Sequence, residues 1–160
     1  MNGKYKKLAV FILILVVLLG GLNIYLNSKK ESIKVDKIFN RVISIKDGKL
    51  GYNVKIDIDG KLSDTHFVYR YLKYSKELKG TVILNNKKYN ISASRSFKNR
   101  TFEGVLTKNN NTLVSDFSIV ISDDFSKVCI YNDDYIVASP ANTVEDVYNI
   151  YKDMVDIPID

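Results

Sequence analysis

Residues 52–58, Tyr52-Asn53-Val54-Lys55-Ile56-Asp57-Ile58, alternate an apolar or aromatic residue with a polar one at every step. A period of two puts Tyr52, Val54, Ile56 and Ile58 on one face of a strand and Asn53, Lys55 and Asp57 on the other. The same habit recurs along the chain in both directions. Val82 and Leu84 are followed by Asn85-Asn86 and then by the row Tyr89, Ile91, Ala93, which reads as a hairpin with a two-residue loop. Phe117, Ile119 and Ile121 form another row, answered across Asp123-Asp124 by Val128 and Ile130. Phe102, Val105 and Leu106 give a weaker row, which suggests a bulge at Gly104. Further turn signals stand at Asp47-Gly48, Asp59-Gly60, Lys98-Asn99, Asn109-Asn110-Asn111 and Asp133-Asp134, residues that tolerate the positive φ of tight turns.

Roughly eight or nine short strands joined by short loops, with no helix of crossover length between them, predict an antiparallel meander. So long a meander must manage its edges, by curling into a barrel or by folding into two sheets. One stretch fits two patterns. His66 to Leu78 is strand-like in composition, yet Phe67, Tyr71, Tyr74 and Leu78 also recur at helical spacing, with Ser63 and Gly80 as helix boundaries. The strand is the preferred reading. Thr143-x-x-Asp146 matches a capping box and opens an amphipathic helix over about 143–155, with Val144, Val147, Tyr148, Tyr151 and Met154/Val155 on one face. That helix must pack on the sheet or plug a barrel end.

The other end of the chain reads differently. Residues 8–26, LAVFILILVVLLGGLNIYL, carry no charge. Nineteen residues at 1.5 Å each give about 28 Å, close to the hydrocarbon thickness of a bilayer. The run is longer than the apolar core of a signal peptide and is followed by no small-x-small cleavage site, so an uncleaved transmembrane anchor is expected, with Leu8, Phe11, Ile14, Val17, Leu22 and Leu26 among its residues. Lys4, Lys6 and Lys7 precede the run, and Lys29, Lys30 and Lys34 follow it. A short basic tail stays behind easily, which favours an N-terminus inside and the domain outside, although lysines on both flanks leave the opposite topology open. The expected organisation is therefore a basic tail at 1–7, an anchor at 8–26, a linker at 27–32 and one β-rich extracytoplasmic domain at 33–160.

Lysine outnumbers arginine 20 to 4, and asparagine and isoleucine are plentiful, a bias that fits an AT-rich bacterial genome. In such a chain the sequons at Asn90, Asn99 and Asn110 are coincidental. Charge is segregated: residues 27–108 hold 19 Lys+Arg against 8 Asp+Glu, and residues 109–160 hold 2 against 10. The two halves either form a basic and an acidic side or interleave and neutralise each other. A basic side suits an anionic lipid or polymer, and an acidic side suits a basic partner. Phe67, Tyr69, Arg70, Tyr71, Lys73 and Tyr74 set rings beside cations and form a candidate binding surface. The bland alternative is that these rings help to build the core.

Little else points to chemistry. The single cysteine, Cys129, lies in an apolar alternation and reads as a strand residue. The single histidine, His66, has no second imidazole for a metal, and no Gly-x-Ser-x-Gly or phosphate-binding glycine loop occurs. Asp116, Asp123-Asp124 and Asp133-Asp134 read as turn residues, and hairpin turns on neighbouring strands fall at alternate ends of a sheet. The expectation is a membrane-anchored, non-enzymatic interaction or accessory module of a bacterial cell envelope. It would need no cofactor. Its partners would be the lipid bilayer and a protein or anionic envelope polymer, not nucleic acid. In outline the pattern resembles barrel-type binders of small ligands, at the level of fold only. Binding of a small apolar or lipid ligand is thus the alternative function, and an enzyme with an unfamiliar site the third. The alternative requires Tyr52, Ile56, Tyr69, Ile91 and Ile119 to line an open cavity.

Overall fold

Asn85 and Asn86 take φ of 50° and 64°, the pair of positive angles that a two-residue hairpin turn needs. They join the two longest paired strands after residue 70 in the register expected of them: Leu84 opposite Lys87, Val82 opposite Tyr89 and Leu78 opposite Ala93. The computed structural model describes residues 3–28, 32–47, 49–51, 54–66, 74–96, 99–108 and 115–155. Within them a helix α1 (Gly3–Ser28) precedes the strands β1 (Ser32–Phe39), β2 (Ile43–Lys46), β3 (Lys49–Gly51), β4 (Ile56–His66), β5 (Tyr74–Leu84), β6 (Lys87–Ser96), β7 (Thr101–Thr107), β8 (Phe117–Ser122), β9 (Val128–Tyr131) and β10 (Tyr135–Ser139), and a second helix α2 (Val144–Met154) follows them.

The ten strands form one antiparallel sheet, in the order β1-β4-β5-β6-β7-β8-β9-β10-β2-β3. From β4 to β10 each strand pairs with the next, as a meander should. The ends of that meander explain its shape. β1 pairs with β4, from Ser32 opposite Ser63 to Phe39 opposite Ile56. β2 pairs with β10, from Ile43 opposite Ala138 to Lys46 opposite Tyr135. Only Asn40, Arg41 and Val42 separate β1 from β2, and Arg41 makes the bend at φ 56°. The bend is itself tied down: the Ser139 hydroxyl donates to the Asn40 carbonyl at 2.7 Å, and the Ala141 amide to the Arg41 carbonyl at 2.7 Å. One segment, residues 32–46, thus binds both the first and the last strand of the meander. The sheet must curl to allow this, and both ends of the meander are paired in the process, which leaves β1 and β3 as the edges of the sheet.

Inward-facing side chains meet in one cluster that includes Phe39, Ile56, Ile58, Leu78, Val82, Ile91, Phe102, Leu106, Ile119, Ile121, Ile130 and Val137. The curl brings backbones close, and three glycines meet that need. Gly60 lies opposite Gly80, and a Cβ on Gly80 would stand 2.2 Å from the Asp59 carbonyl oxygen. A Cβ on Gly104 would stand 2.1 Å from the Ser92 carbonyl oxygen. Neither Gly60 nor Gly104 serves the role expected of it. Asp59-Gly60 is no turn but the middle of β4, and β7 runs in unbroken register with both neighbours, with no bulge at Gly104.

Other expectations shift in register. The row at 52–58 enters the sheet at Ile56; Val54 precedes the strand, and Tyr52 lies outside the described residues. The ambiguous stretch holds strand at both ends, since Tyr74 to Leu78 pair with His66 to Leu62, which removes the helical reading there. Residues 67–73 lie outside the described residues. The helix at the chain end forms with its capping box complete: the Thr143 hydroxyl accepts from the Asp146 amide at 3.1 Å, and the Asp146 carboxylate from the Thr143 amide at 3.0 Å. It packs on the outer face of the sheet rather than in a barrel end. Val147, Ile150 and Met154 bury against Ile43, Ile45, Val120, Cys129 and Ala138. Val144 and Tyr148, expected on that face, are exposed; Ile150 takes their place, because the buried stripe is centred between the rows 147-154 and 150.

The uncharged run near the N-terminus is helical within α1, which continues through Ser28 into the expected linker. From Leu8 to Leu19 its large apolar side chains are exposed, from Leu15 at 47% to Leu13 and Val17 at 65%. Among the described residues no helix is long and apolar enough to cross a membrane.

Candidate functional site

The β9–β10 turn is held by Asn132. Its backbone amide donates to the Tyr135 carbonyl at 2.9 Å, its side-chain carbonyl accepts from the Asp134 amide at 3.2 Å, and its side-chain NH₂ donates to the Asp116 carbonyl at 3.3 Å. Asp116 is fixed in turn where β8 begins. Its amide donates to the Leu106 carbonyl at 2.9 Å, and its carboxylate accepts the Lys108 amide at 2.7 Å. Two aspartates, Asp116 and Asp133, are thereby brought to the rim of one cleft.

The cleft lies on the outer face of the sheet. Ser118, Tyr131 and Ile136 form its floor, and the shoulder of α2, with Tyr148, Tyr151 and Lys152, forms the opposite wall. Its volume is about 590 Å³. The Tyr131 and Tyr151 rings meet edge to face, 5.3 Å between centroids and 87° between planes. Burial raises the Tyr131 phenol above its ordinary range, and a hydrogen bond with Ser118 offsets part of that. Tyr131 is therefore neutral across the physiological range and presents an O–H. Tyr148 is 43% exposed and free to meet a ligand with its ring.

The interior is built otherwise. Ile56, Ile91 and Ile119, three residues that an interior ligand space would require on its wall, are buried among one another in the core cluster. Tyr52 and Tyr69 lie outside the described residues. Cys129 is fully buried beneath α2, and burial pushes its thiol up to about 12. A thiol held there is neither thiolate nor accessible.

Most described ion pairs form within one half of the charge pattern, although β2 of the basic half pairs with β10 of the acidic half. Among the described ion pairs, Lys34 with Asp36 and Asp59, Lys55 with Asp57, and Lys79 with Glu77 stay within the basic half, and Lys127 with Asp153 within the acidic half. Arg95 with Asp123 alone joins the halves, through a two-pronged contact whose Nε–Oδ1 arm is 2.7 Å. Asp123-Asp124 and Asp133-Asp134 sit at opposite ends of β9. Asp124 accepts from Ser122, Ser126 and the Ser126 amide, which is turn chemistry. Among the described residues no three His, Cys, Asp or Glu side chains gather as a metal would need.

Of the surface expected at Phe67, Tyr69, Arg70, Tyr71, Lys73 and Tyr74, the first five lie outside the described residues, and Tyr74 opens β5 opposite His66. The cleft tyrosines carry no site motif in the sequence. Tyr148 and Tyr151 read as core on the helix stripe, and Tyr131 as a strand residue. The available signal was Tyr131 itself, a polar-tipped ring ending the apolar run 128–130.

No family model matches this chain, and neither a curated protein nor a solved structure does.

Proposed function

We propose that this protein is a membrane-anchored, non-enzymatic interaction module of a bacterial cell envelope, and that its tyrosine-lined cleft beside α2 receives a basic segment of a partner protein. The cleft carries the reading: aromatic rings at Tyr131, Tyr148 and Tyr151 stand beside carboxylates at Asp116 and Asp133. An arginine or lysine side chain stacks on a phenol face and pairs with a carboxylate, a combination that neutral groups do not match. Every residue that lines this cleft comes from the acidic half of the chain, whose net negative charge adds long-range attraction for a cation. The anchor reading rests on the sequence, on the uncharged run at 8–26, together with the large apolar side chains from Leu8 to Leu19 that stand exposed. The short basic tail favours an N-terminus inside and a domain outside, against lysines on the other flank that favour the reverse.

The test uses the whole chain in non-ionic detergent and two synthetic peptides, one rich in arginine and one with glutamine at the same positions. The arginine peptide is expected to bind and the glutamine peptide to bind at least tenfold more weakly. Asp133→Asn and Tyr148→Ala change exposed side chains and are each expected to weaken the arginine peptide about fivefold, at unchanged circular dichroism. Equal binding of the two peptides would overturn the cleft reading. Release of the protein from native membranes by alkaline carbonate would separately overturn the anchor.

A further inference from the structure

At one end of the curled sheet the inward-facing rows change character. Register places Lys87 on the same face as Leu84 and Tyr89, and Lys46 on the same face as Tyr135. Both rows run apolar or uncharged through the interior and finish in a lysine at the rim. An outward position would leave such a lysine in free solvent; an inward one holds its ammonium over the mouth.

Below the lysines the floor is aromatic. Tyr89 and Phe117 meet edge to face at 5.6 Å and 82°, and Phe117 and Tyr135 are tilted at 5.6 Å and 58°. With Lys46 and Lys87 these rings line a depression of about 330 Å³, whose remaining polar groups come from Asn85, Asn132 and Asp134. Neither lysine forms an ion pair with a described residue, although Asp134 shares the depression with them. Burial raises the Tyr89 and Tyr135 phenols, so both stand as neutral O–H groups beside the ammonium groups. An apolar floor suits a flat ring, and two unpaired cations on the rim suit an anion.

We infer that this mouth is a second binding site, adjoining the cleft beside α2 at Phe117 and Asn132, for a small planar molecule bearing one carboxylate, phosphate or sulfate. The ring lies on Phe117, Tyr89 and Tyr135, and the acid group meets Lys46 and Lys87. The site is shallow because the side chains beneath it fill the interior, so a long acyl chain has no room to descend. The inference requires neither the anchor nor the basic partner.

The probes are 4-(trifluoromethyl)benzoate and its neutral amide, followed by fluorine NMR with the whole chain in non-ionic detergent. The benzoate is expected to bind in fast exchange at least tenfold more tightly than the amide. The double substitution Lys46→Gln/Lys87→Gln should abolish that preference and leave the amide unchanged. Lys87→Arg keeps the charge and should keep the preference. Equal binding of acid and amide, an unaltered preference in the double variant, or no benzoate binding at 10 mM (about −2.7 kcal/mol by the usual conversion) each overturns the proposal.

Discussion

Strands β4 to β6 and strands β8 to β10 belong to one sheet, yet the first group is dry on one face and the second on both. β6 alternates buried Tyr89, Ile91 and Ala93 with exposed or half-buried Lys88, Asn90 and Ser92. β8 buries Ile119, Val120 and Ile121 in succession, and β9 buries Val128, Cys129 and Ile130. The odd and even members of those runs enter different cores. Ile119, Ile121, Val128 and Ile130 join the interior, while Val120 and Cys129 lie under α2. A strand that loses both faces to packing gives up alternation, and only the covering helix makes that affordable. The difference also locates the candidate sites. The cleft exists because α2 stands beside the outer face, and the mouth exists because the inner rows end there.

If the two cores differ as their enclosure implies, the same kind of truncation should cost different amounts. Leu106 is fully buried and surrounded by strands that cannot move inward, whereas Met154 sits at the free end of α2. Leu106→Ala is expected to destabilise by about 4 kcal/mol and Met154→Ala by about 2 kcal/mol, the upper and lower parts of the range for such changes. Denaturant titration of the whole chain measures both. Equal losses would mean that α2 is as much a part of the cooperative unit as the strands.

A gentler perturbation sharpens the same contrast. Thr143→Ala removes the cap of α2 and should cost about 1 kcal/mol. Cys129 lies beneath that helix with its thiol pushed up to about 12, so it is a reporter of the helix lifting away. Maleimide labelling of Cys129 at pH 8 should accelerate about fivefold in the variant if α2 opens locally, the factor that 1 kcal/mol implies. An unchanged rate would show that the helix does not open by itself.

The smallest effect concerns the turn that keeps β8 and β9 in register. The Ser122 hydroxyl, with Ser126, holds the Asp124 carboxyl down from 3.8 to about 2. A depressed carboxyl contributes stability that is present above its ordinary value and is lost as pH falls through the folded one. Asp124→Asn should therefore lower the unfolding midpoint slightly at pH 7, and the gap should close between pH 3.8 and pH 2. A gap of constant size over that interval would assign the effect to something other than the charge.

Much of the sheet was legible. Asn85-Asn86, the rows 89–93, 117–121 and 128–130, and the capping box at Thr143 are local signals, each decided by neighbours in the chain. Asp59-Gly60 misled for a physical reason: glycine serves both a tight turn and a close approach of two backbones, and only the opposite Gly80 tells them apart. The candidate site was less legible than the fold. The sequence drew attention to the rings at 67–74, whereas the cleft assembles Tyr131, Tyr148 and Asp116 from elements far apart in the chain. Spacing cannot show such convergence.

The row at Ile56 and Ile58 and its counterparts determined by themselves that the chain makes strands, and the short turns between them that the strands run antiparallel, because side-chain alternation and tight turns are local properties of the chain. The long uncharged run at 8–26 likewise determined a helix near the N-terminus. Tertiary structure decided how far the sheet curls, because one segment at 32–46 must reach both β4 and β10. It decided too which face of β8 to β10 the last helix covers, since an apolar run buried on both sides carries no mark of which side is which.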